Sequence, residues 1–420
     1  MEHTISSKQD EKPEPLSLRR NIFFNTLGSL MYQGCLWLTT VLVVILSSGY
    51  NDSGLLAFAM AVGNMFNPIA TYNMRPYQVS DVKGDYSQDN YVAFRLVTLV
   101  IGFIIIIPYT FVSSNDPLTI CVVLIYLLFK ADEAFCDVLY GVEQRAERMD
   151  FIGISQFLRG IVLVTAFSAG LLLSGSLPIA VVVMSLSCMA VTFLYDFPHA
   201  SRFACLKPHI QYRQTLLLLK SCLPLVVSTL FIGMVVSLSR QCFSNLYGTE
   251  ELGRYAAVAT PAVLVQAAAR YLYAPVLAPL SADWNKGGSS FRRSFIKTAA
   301  LMCLCCAVMV IILSIVGGPL LMLVYGSSIS NYVYLFPWVL VGTALIAFFC
   351  FVTDILIVCR NLRCLLVSAT IAIVITAVTM LPFERLFGMN GINYTIISAV
   401  SVGIVAACFS LFLSIRKHES

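Results

Sequence analysis

The sequence has 420 residues, 58% of them hydrophobic and 12% charged, with a mean hydropathy of +0.83. Soluble domains are roughly 45–50% apolar and about a quarter charged, and a soluble fold of this length has no interior large enough for the excess. The net charge of +5 forms no run or stripe, which excludes a nucleic-acid-binding surface; it sits in short connections between apolar blocks, as membrane topology requires.

Residues 1–20 read as a disordered cytoplasmic tail, because the first seventeen are polar, contain Pro13 and Pro15, and include no apolar core or cleavage site of a signal peptide. Apolar blocks then predict twelve membrane-spanning helices, at 21–46, 54–73, 93–113, 117–141, 151–174, 178–197, 217–245, 253–281, 295–316, 332–358, 365–381 and 391–414. Each is near the ~20 residues that cross a hydrocarbon core of ~30 Å. Turn chemistry separates them at Ser47-Ser48-Gly49, Asn115-Asp116-Pro117, Ser174-Gly175-Ser176 and Gly317-Gly318-Pro319. The fold class is therefore all-α integral membrane.

The connections on the N-terminal side hold eighteen lysines and arginines, from Lys8 to Lys417, and the opposite connections hold only Arg385. That asymmetry predicts a multi-pass protein of a bacterial cytoplasmic (cell) membrane with both termini in the cytoplasm. The 14 cysteines lie mostly inside apolar segments, as in Cys303-Leu304-Cys305-Cys306, and act there as small hydrophobes. The four histidines, His3, His199, His209 and His418, lie in loops or tails, and HExxH, facing CxxC pairs and GxxxxGK[ST] are all missing. No metal, cofactor or nucleotide motor is expected.

Six predicted helices (21–197) precede the long basic connection 198–216, and six (217–414) follow it, ahead of a short tail at 415–420. The halves match at an offset of 199 residues: Gly49 with Gly248, Asp52 with Glu251, Gly54 with Gly253, Ala57 with Ala256 and Pro76 with Pro275. Lys83-Gly84 and Lys286-Gly287 fall in similar inner connections. Both copies begin with a helix entering from the cytoplasm, so the repeat is parallel, two six-helix bundles of the kind that hold a substrate between them.

Ionisable groups at membrane depth cost about 2.5–3.5 kcal/mol each and need a partner or a wet cavity. For Arg95, Lys220, Arg254 and Lys297, near helix ends, snorkelling to the headgroups is the expected reading. Arg270 lies some two-thirds along its predicted span, behind the small-residue run Gln266-Ala267-Ala268-Ala269, and a buried guanidinium there requires an anion. Asp354 and Glu133 are the protein candidates for that role, and an anionic ligand is the other. On the fourth helix Lys130, Asp132, Glu133 and Asp137 cluster, Glu133 and Asp137 sharing a face at i, i+4. Arg159 on the next helix begins near the same depth, so the group reads either as a salt-bridge network or as a proton or cation relay. Arg75 stands where Pro76 is expected to end the second helix, at the cytoplasmic surface. Tyr32, Gln33, Asn64 and Asn67 are candidates to line a wet cavity, with Pro68 kinking one wall.

Leu18-Arg19-Arg20-Asn21-Ile22-Phe23-Phe24-Asn25-Thr26-Leu27-Gly28 resembles the start of bacterial polysaccharide flippases of the multidrug/oligosaccharidyl-lipid/polysaccharide superfamily. Arg75-Pro76-Tyr77-Gln78-Val79-Ser80-Asp81, Leu252-Gly253-Arg254-Tyr255-Ala256 and Leu323-Val324-Tyr325-Gly326 resemble the same family, and the likeness spans roughly 18–415. It implies two six-helix bundles in a V around a central cavity lined by the first, second, seventh and eighth helices. It also implies that undecaprenyl-diphosphate-linked oligosaccharide repeat units are moved between leaflets. Under that reading Arg75, Arg240 and Arg270 form a cationic cavity for the diphosphate. Tyr32, Gln33, Asn64, Asn67 and Gln266 supply polar walls, and the group Lys130, Asp132, Glu133, Asp137, Arg159 and Asp354 is either coupling or structural. The expected partners are the lipid-linked substrate, membrane lipid, and a polymerase or glycosyltransferases of the same pathway, with the protein acting as a monomer. Two features depart from the family: no buried arginine on the first helix, and Gly49-Tyr50-Asn51-Asp52-Ser53-Gly54 in the first outer turn.

A cation-coupled multidrug exporter of the same superfamily is the main alternative, but its cargo calls for acids that the first and seventh helices lack. A membrane polymerase or ligase of lipid-linked sugars would carry a large outer loop with arginine or histidine, and the longest outer connection, 317–331, has neither.

Overall fold

The structure, a computed structural model, describes residues 14–81, 86–273, 276–286 and 288–419. The described chain runs through α1 (Leu18–Leu46), α2 (Asn51–Thr71), α3 (Met74–Ser80), α4 (Gln88–Ser113), α5 (Pro117–Arg145), α6 (Met149–Ser174) and α7 (Leu177–Val191). A π-turn at Thr192–Asp196 leads into α8 (Phe197–Ala200), followed by α9 (Tyr212–Tyr247), α10 (Thr249–Ala259), α11 (Val263–Tyr273) and α12 (Leu277–Lys286). The remainder is α13 (Gly288–Tyr325), 3₁₀ turns at Gly326–Leu335, α14 (Phe336–Val358), α15 (Leu362–Phe387) and α16 (Met389–Glu419).

Among the described residues, nine helical stretches have the length and hydropathy to cross a membrane. One of these, Ser290–Val358, holds two helices, α13 and α14. α5 has the length, at 29 residues, but carries Lys130, Asp132, Glu133 and Asp137. α10 and α11 are parted by a 3₁₀ turn at Thr260–Ala262. With these the chain is an all-α integral membrane protein of about twelve spans, since only closed backbone hydrogen bonding is tolerated in hydrocarbon.

Three local expectations are corrected. Gly317-Gly318-Pro319 is not a turn: α13 runs through it. Gly317 is there for packing, because a Cβ on it would overlap the Phe336 ring. Pro76 does not end the second helix. The break falls at Tyr72 and Asn73, both with left-handed φ (52° and 47°), and Pro76 sits in the first turn of α3, where its missing N–H is tolerated. The Tyr72 hydroxyl donates to the Leu219 carbonyl at 3.0 Å and its ring meets Phe94 edge-on, which anchors this strained elbow. The expected span 253–281 is broken at the turn containing Pro261, which parts α10 from α11. Pro275, Lys83-Gly84 and Gly287 of the repeat lie outside the described residues.

By contact the chain divides into two units, one of residues 1–39, 69–107 and 124–222, the other of 40–68, 108–123 and 223–420. In the first, α1 and α6 touch backbone to backbone: a Cβ on Gly28 would overlap Gly153, and one on Gly153 would overlap the Phe24 carbonyl. One heptad on, a Cβ on Gly160 would come within 3.1 Å of the Cys35 sulfur. Asn21 fixes the start of α1, donating to the carbonyls of Leu16 (3.1 Å) and Glu147 (2.8 Å) and accepting from the Met149 N–H at 2.8 Å.

In the second unit the repeat becomes visible. Gly49 and Gly248 both adopt positive φ (142° and 92°), and helices with acids in their first turns follow them. A Cβ on Gly54 would overlap the Thr249 carbonyl, and one on Gly253 would overlap the Tyr50 carbonyl. Tyr50 and Thr249 are themselves 199 residues apart, so the contact is reciprocal, as a two-fold relation between repeats demands. Gly54→Leu is expected to lower stability by about 1–3 kcal/mol through overpacking. Gly34→Leu, at a site with no atom within 4 Å of the new Cβ, should leave the melting temperature in detergent nearly unchanged.

Candidate functional site

The intramembrane charges that the sequence singles out in the first unit pair off. Asp137 receives the Arg95 guanidinium at 2.7 Å and Arg75 at 3.7 Å. Arg95 also donates to the Ala70 carbonyl at 2.7 Å and is only 1% exposed, so it is a buried structural cation and not the snorkelling residue its position suggests. Its neighbours on α5 supply a carboxylate in range, which removes the need to reach the headgroups. Arg75 is half-buried, donates from Nε to Gln144 at 3.0 Å and lies over the Tyr140 ring. One carboxylate thus serves two guanidiniums.

Lys130 and Glu133 pair at 2.6 Å, and the Tyr32 hydroxyl donates to the same Glu133. Glu133 and Asp137 share a face, as their spacing predicts, yet they belong to separate pairs. Tyr32→Phe is expected to cost about 1.5–3 kcal/mol, the net worth of one hydrogen bond to a charged partner, read as a drop in melting temperature.

Arg159 closes a third group. It meets Asp132 at 2.5 Å and Asp196 at 3.6 Å, and donates to Thr192 at 2.7 Å and to the Cys136 sulfur at 2.8 Å. Thr192 in turn donates to Asp132 at 2.6 Å, and Cys136 to Asp196 at 3.2 Å. Thr192 and Asp196 are the ends of the π-turn, whose wider winding brings both to the guanidinium. Hydropathy does not reveal a π-turn, so the sequence indicates Asp132 and Arg159 but not Thr192, Cys136 or the pairing with Asp196.

Three of the polar candidates are exposed: Gln33 on α1, and Asn64 and Asn67 on α2. The stretch containing α2 is 72% buried over its most apolar window, the highest of the nine, so its few exposed positions are informative. They fall at helical spacing and carry amides, a pattern that suits water and not lipid tails.

In the second unit, Arg270 is exposed and lies near enough to Asp354 for their charges to interact. The expectation of a cation buried within a single span 253–281 is not met, since the Arg270 side chain is exposed on α11. Asp354 accepts from the Tyr273 hydroxyl at 2.9 Å, and Gln266 is half-buried on α11. Arg240 is the unusual group. It is half-buried on α9 with its guanidinium over the Tyr255 ring at 6.0 Å, it makes no ion pair among the described residues, and its buried Nε has no acceptor. Tyr255 is held by its own hydrogen bond to Asn393 at 2.8 Å. Two carboxyls that the sequence does not single out are fully buried: Glu143 on α5, with no hydrogen-bond partner for either oxygen among the described residues, and Glu384 on α15, with the Cys242 thiol beside it. No group of histidine, cysteine and acidic side chains among the described residues is arranged to hold a metal.

No family model matches the chain. Its fold is similar to that of an inward-facing multidrug-resistance MATE transporter of the MOP superfamily, with a TM-score of 0.70 and 11% identity over 92% of this chain and 96% of that one. It is equally similar to the lipid II flippase MurJ in an inward closed conformation, with a TM-score of 0.71 and 11% identity over 93% of this chain and 87% of that one. The likeness is one of fold, the helical membrane arrangement that both of those solved proteins have. In sequence it is similar to the capsular polysaccharide biosynthesis protein CapF of Staphylococcus aureus, 23% identical over 245 residues. That match spans 57% of this chain and 60% of the relative.

Proposed function

We propose that this protein is a flippase that moves undecaprenyl-diphosphate-linked oligosaccharide repeat units across the bacterial cytoplasmic membrane, by alternating access and without covalent chemistry, for surface polysaccharide synthesis. The observation that carries the reading is Arg240, an intramembrane guanidinium without a carboxylate partner among the described residues. Such a group cannot shed its proton and calls for an anion, and a diphosphate offers several oxygens to its planar fork. Arg75, which shares Asp137 with Arg95, and the exposed Arg270 add positive charge. Gln33, Asn64 and Asn67 suit a sugar passing through water. The likeness to a lipid II flippase in fold and to a capsule biosynthesis protein in sequence points the same way. The polymerase and glycosyltransferases of the pathway would be its partners, and the protein would work as a monomer.

A cation-coupled multidrug exporter is the second reading, favoured by the buried carboxyls of Glu143 and Glu384, neither in an ion pair among the described residues, and by the likeness of fold to a MATE transporter. The two separate in reconstituted vesicles. The flippase moves undecaprenyl-diphosphate sugar to the opposite leaflet, and organic cations do not compete. Vesicles that ignore the lipid and accumulate organic cations with a pH or sodium gradient would reverse the choice.

A further inference from the structure

The first unit carries an apolar groove of about 750 Å³ that the cargo reading does not use. Its walls come from α4, α5 and the π-turn with α8, and it ends on the connection Ser201–Pro208. Along α4 the lining runs from Val92 to Phe103, about 16 Å at ~1.5 Å per residue, or close to one leaflet of a ~30 Å hydrocarbon core. Phe135, Phe193 and Phe197 give it ring walls. Lys207 stands at the end on the connection, which the distribution of basic residues places on the cytoplasmic side. None of the residues proposed to touch cargo lines it.

We propose that this groove is a site for an anionic glycerophospholipid of the inner leaflet, one acyl chain lying in the groove and the phosphate held at Lys207. The length of a single leaflet fits a resident lipid and not a cargo that must cross both. A basic side chain at the cytoplasmic end of a groove between helices is the feature that selects anionic headgroups from bulk lipid. Asp132 is part of this wall and also of the Arg159 group, and Phe193 projects from the π-turn that carries Thr192 and Asp196. A chain in the groove excludes water from the Asp132–Arg159 bridge and braces the π-turn, so the lipid sets the stability of the buried network.

The test uses delipidated full-length protein titrated with phosphatidylglycerol or phosphatidylcholine, read as melting temperature and as lipid retained through repurification. Wild type should be raised several degrees more by phosphatidylglycerol than by phosphatidylcholine. Lys207→Glu should erase that preference and cut retained phosphatidylglycerol about fivefold or more, from the ~1 kcal/mol that one basic residue contributes at an anionic surface. Ala131→Trp, or Leu96→Trp if the first folds poorly, should fill the groove and abolish the response to both lipids. Equal shifts from the two lipids in wild type, an unchanged preference in Lys207→Glu, or full response in both tryptophan variants would overturn the site. None of these outcomes depends on what the protein transports.

Discussion

Arg159→Leu is expected to lower the stability of the purified protein by about 3–5 kcal/mol, the cost of breaking a buried ion pair by removing one partner. The side chain is 2% exposed and stands between Asp132 at 4% and Asp196 at 0%. Its loss leaves two carboxylates without a cation: Asp132 keeps the Thr192 hydroxyl, while Asp196 keeps the Cys136 sulfur and the nearby Ser155 hydroxyl. Adding Asp132→Asn and Asp196→Asn to Arg159→Leu should restore most of the loss, because a buried ionic group replaced by neutral packing is often no less stable. The measurement is thermal or denaturant unfolding in detergent, and a single-variant loss below about 1 kcal/mol would refute the account. The triple variant also separates the two readings of this cluster. Restored stability with intact transport makes the network structural, and restored stability without transport makes it a relay.

Most of the membrane spans are legible in the sequence because they are set by a one-dimensional quantity, an apolar run of sufficient length. The hairpin repeat is legible for a related reason: Gly49 and Gly248 need positive φ, Gly54 and Gly253 need a close backbone approach, and only glycine serves both needs. Failures occur where two structures share one sequence signal. Gly317-Gly318-Pro319 has the composition of a turn, yet Gly317 accommodates a ring and the bilayer keeps the backbone helical. Arg95 near a helix end has the appearance of a snorkelling residue, and only the fold brings Asp137 to it across 42 residues of chain. The pairing of Arg159 with Asp196 depends on one extra residue in a helical turn, which leaves no compositional trace. Whether Arg240 has a partner is likewise a property of tertiary structure, since α9 contains no acid and every candidate acid lies on another helix.

Arg240→Ala should act in the opposite sense to Arg159→Leu. Binding of undecaprenyl-diphosphate sugar is expected to fall tenfold or more, where each tenfold corresponds to about 1.4 kcal/mol. The stability of the empty protein should stay level or rise, because the substitution removes a half-buried cation whose Nε has no acceptor and strands no carboxylate. Arg240→Lys keeps the charge but loses the fork that spans two phosphate oxygens, so its affinity should fall between wild type and alanine. Arg75→Ala should weaken binding less than Arg240→Ala, since Asp137 already offsets part of its charge and is then left to Arg95 alone. The paired readout, calorimetric affinity against melting temperature on the same samples, distinguishes an arginine kept for a ligand from one kept for the fold. If Arg240→Ala destabilises the empty protein as severely as Arg159→Leu does, Arg240 has a structural partner and the anionic cargo loses its main support.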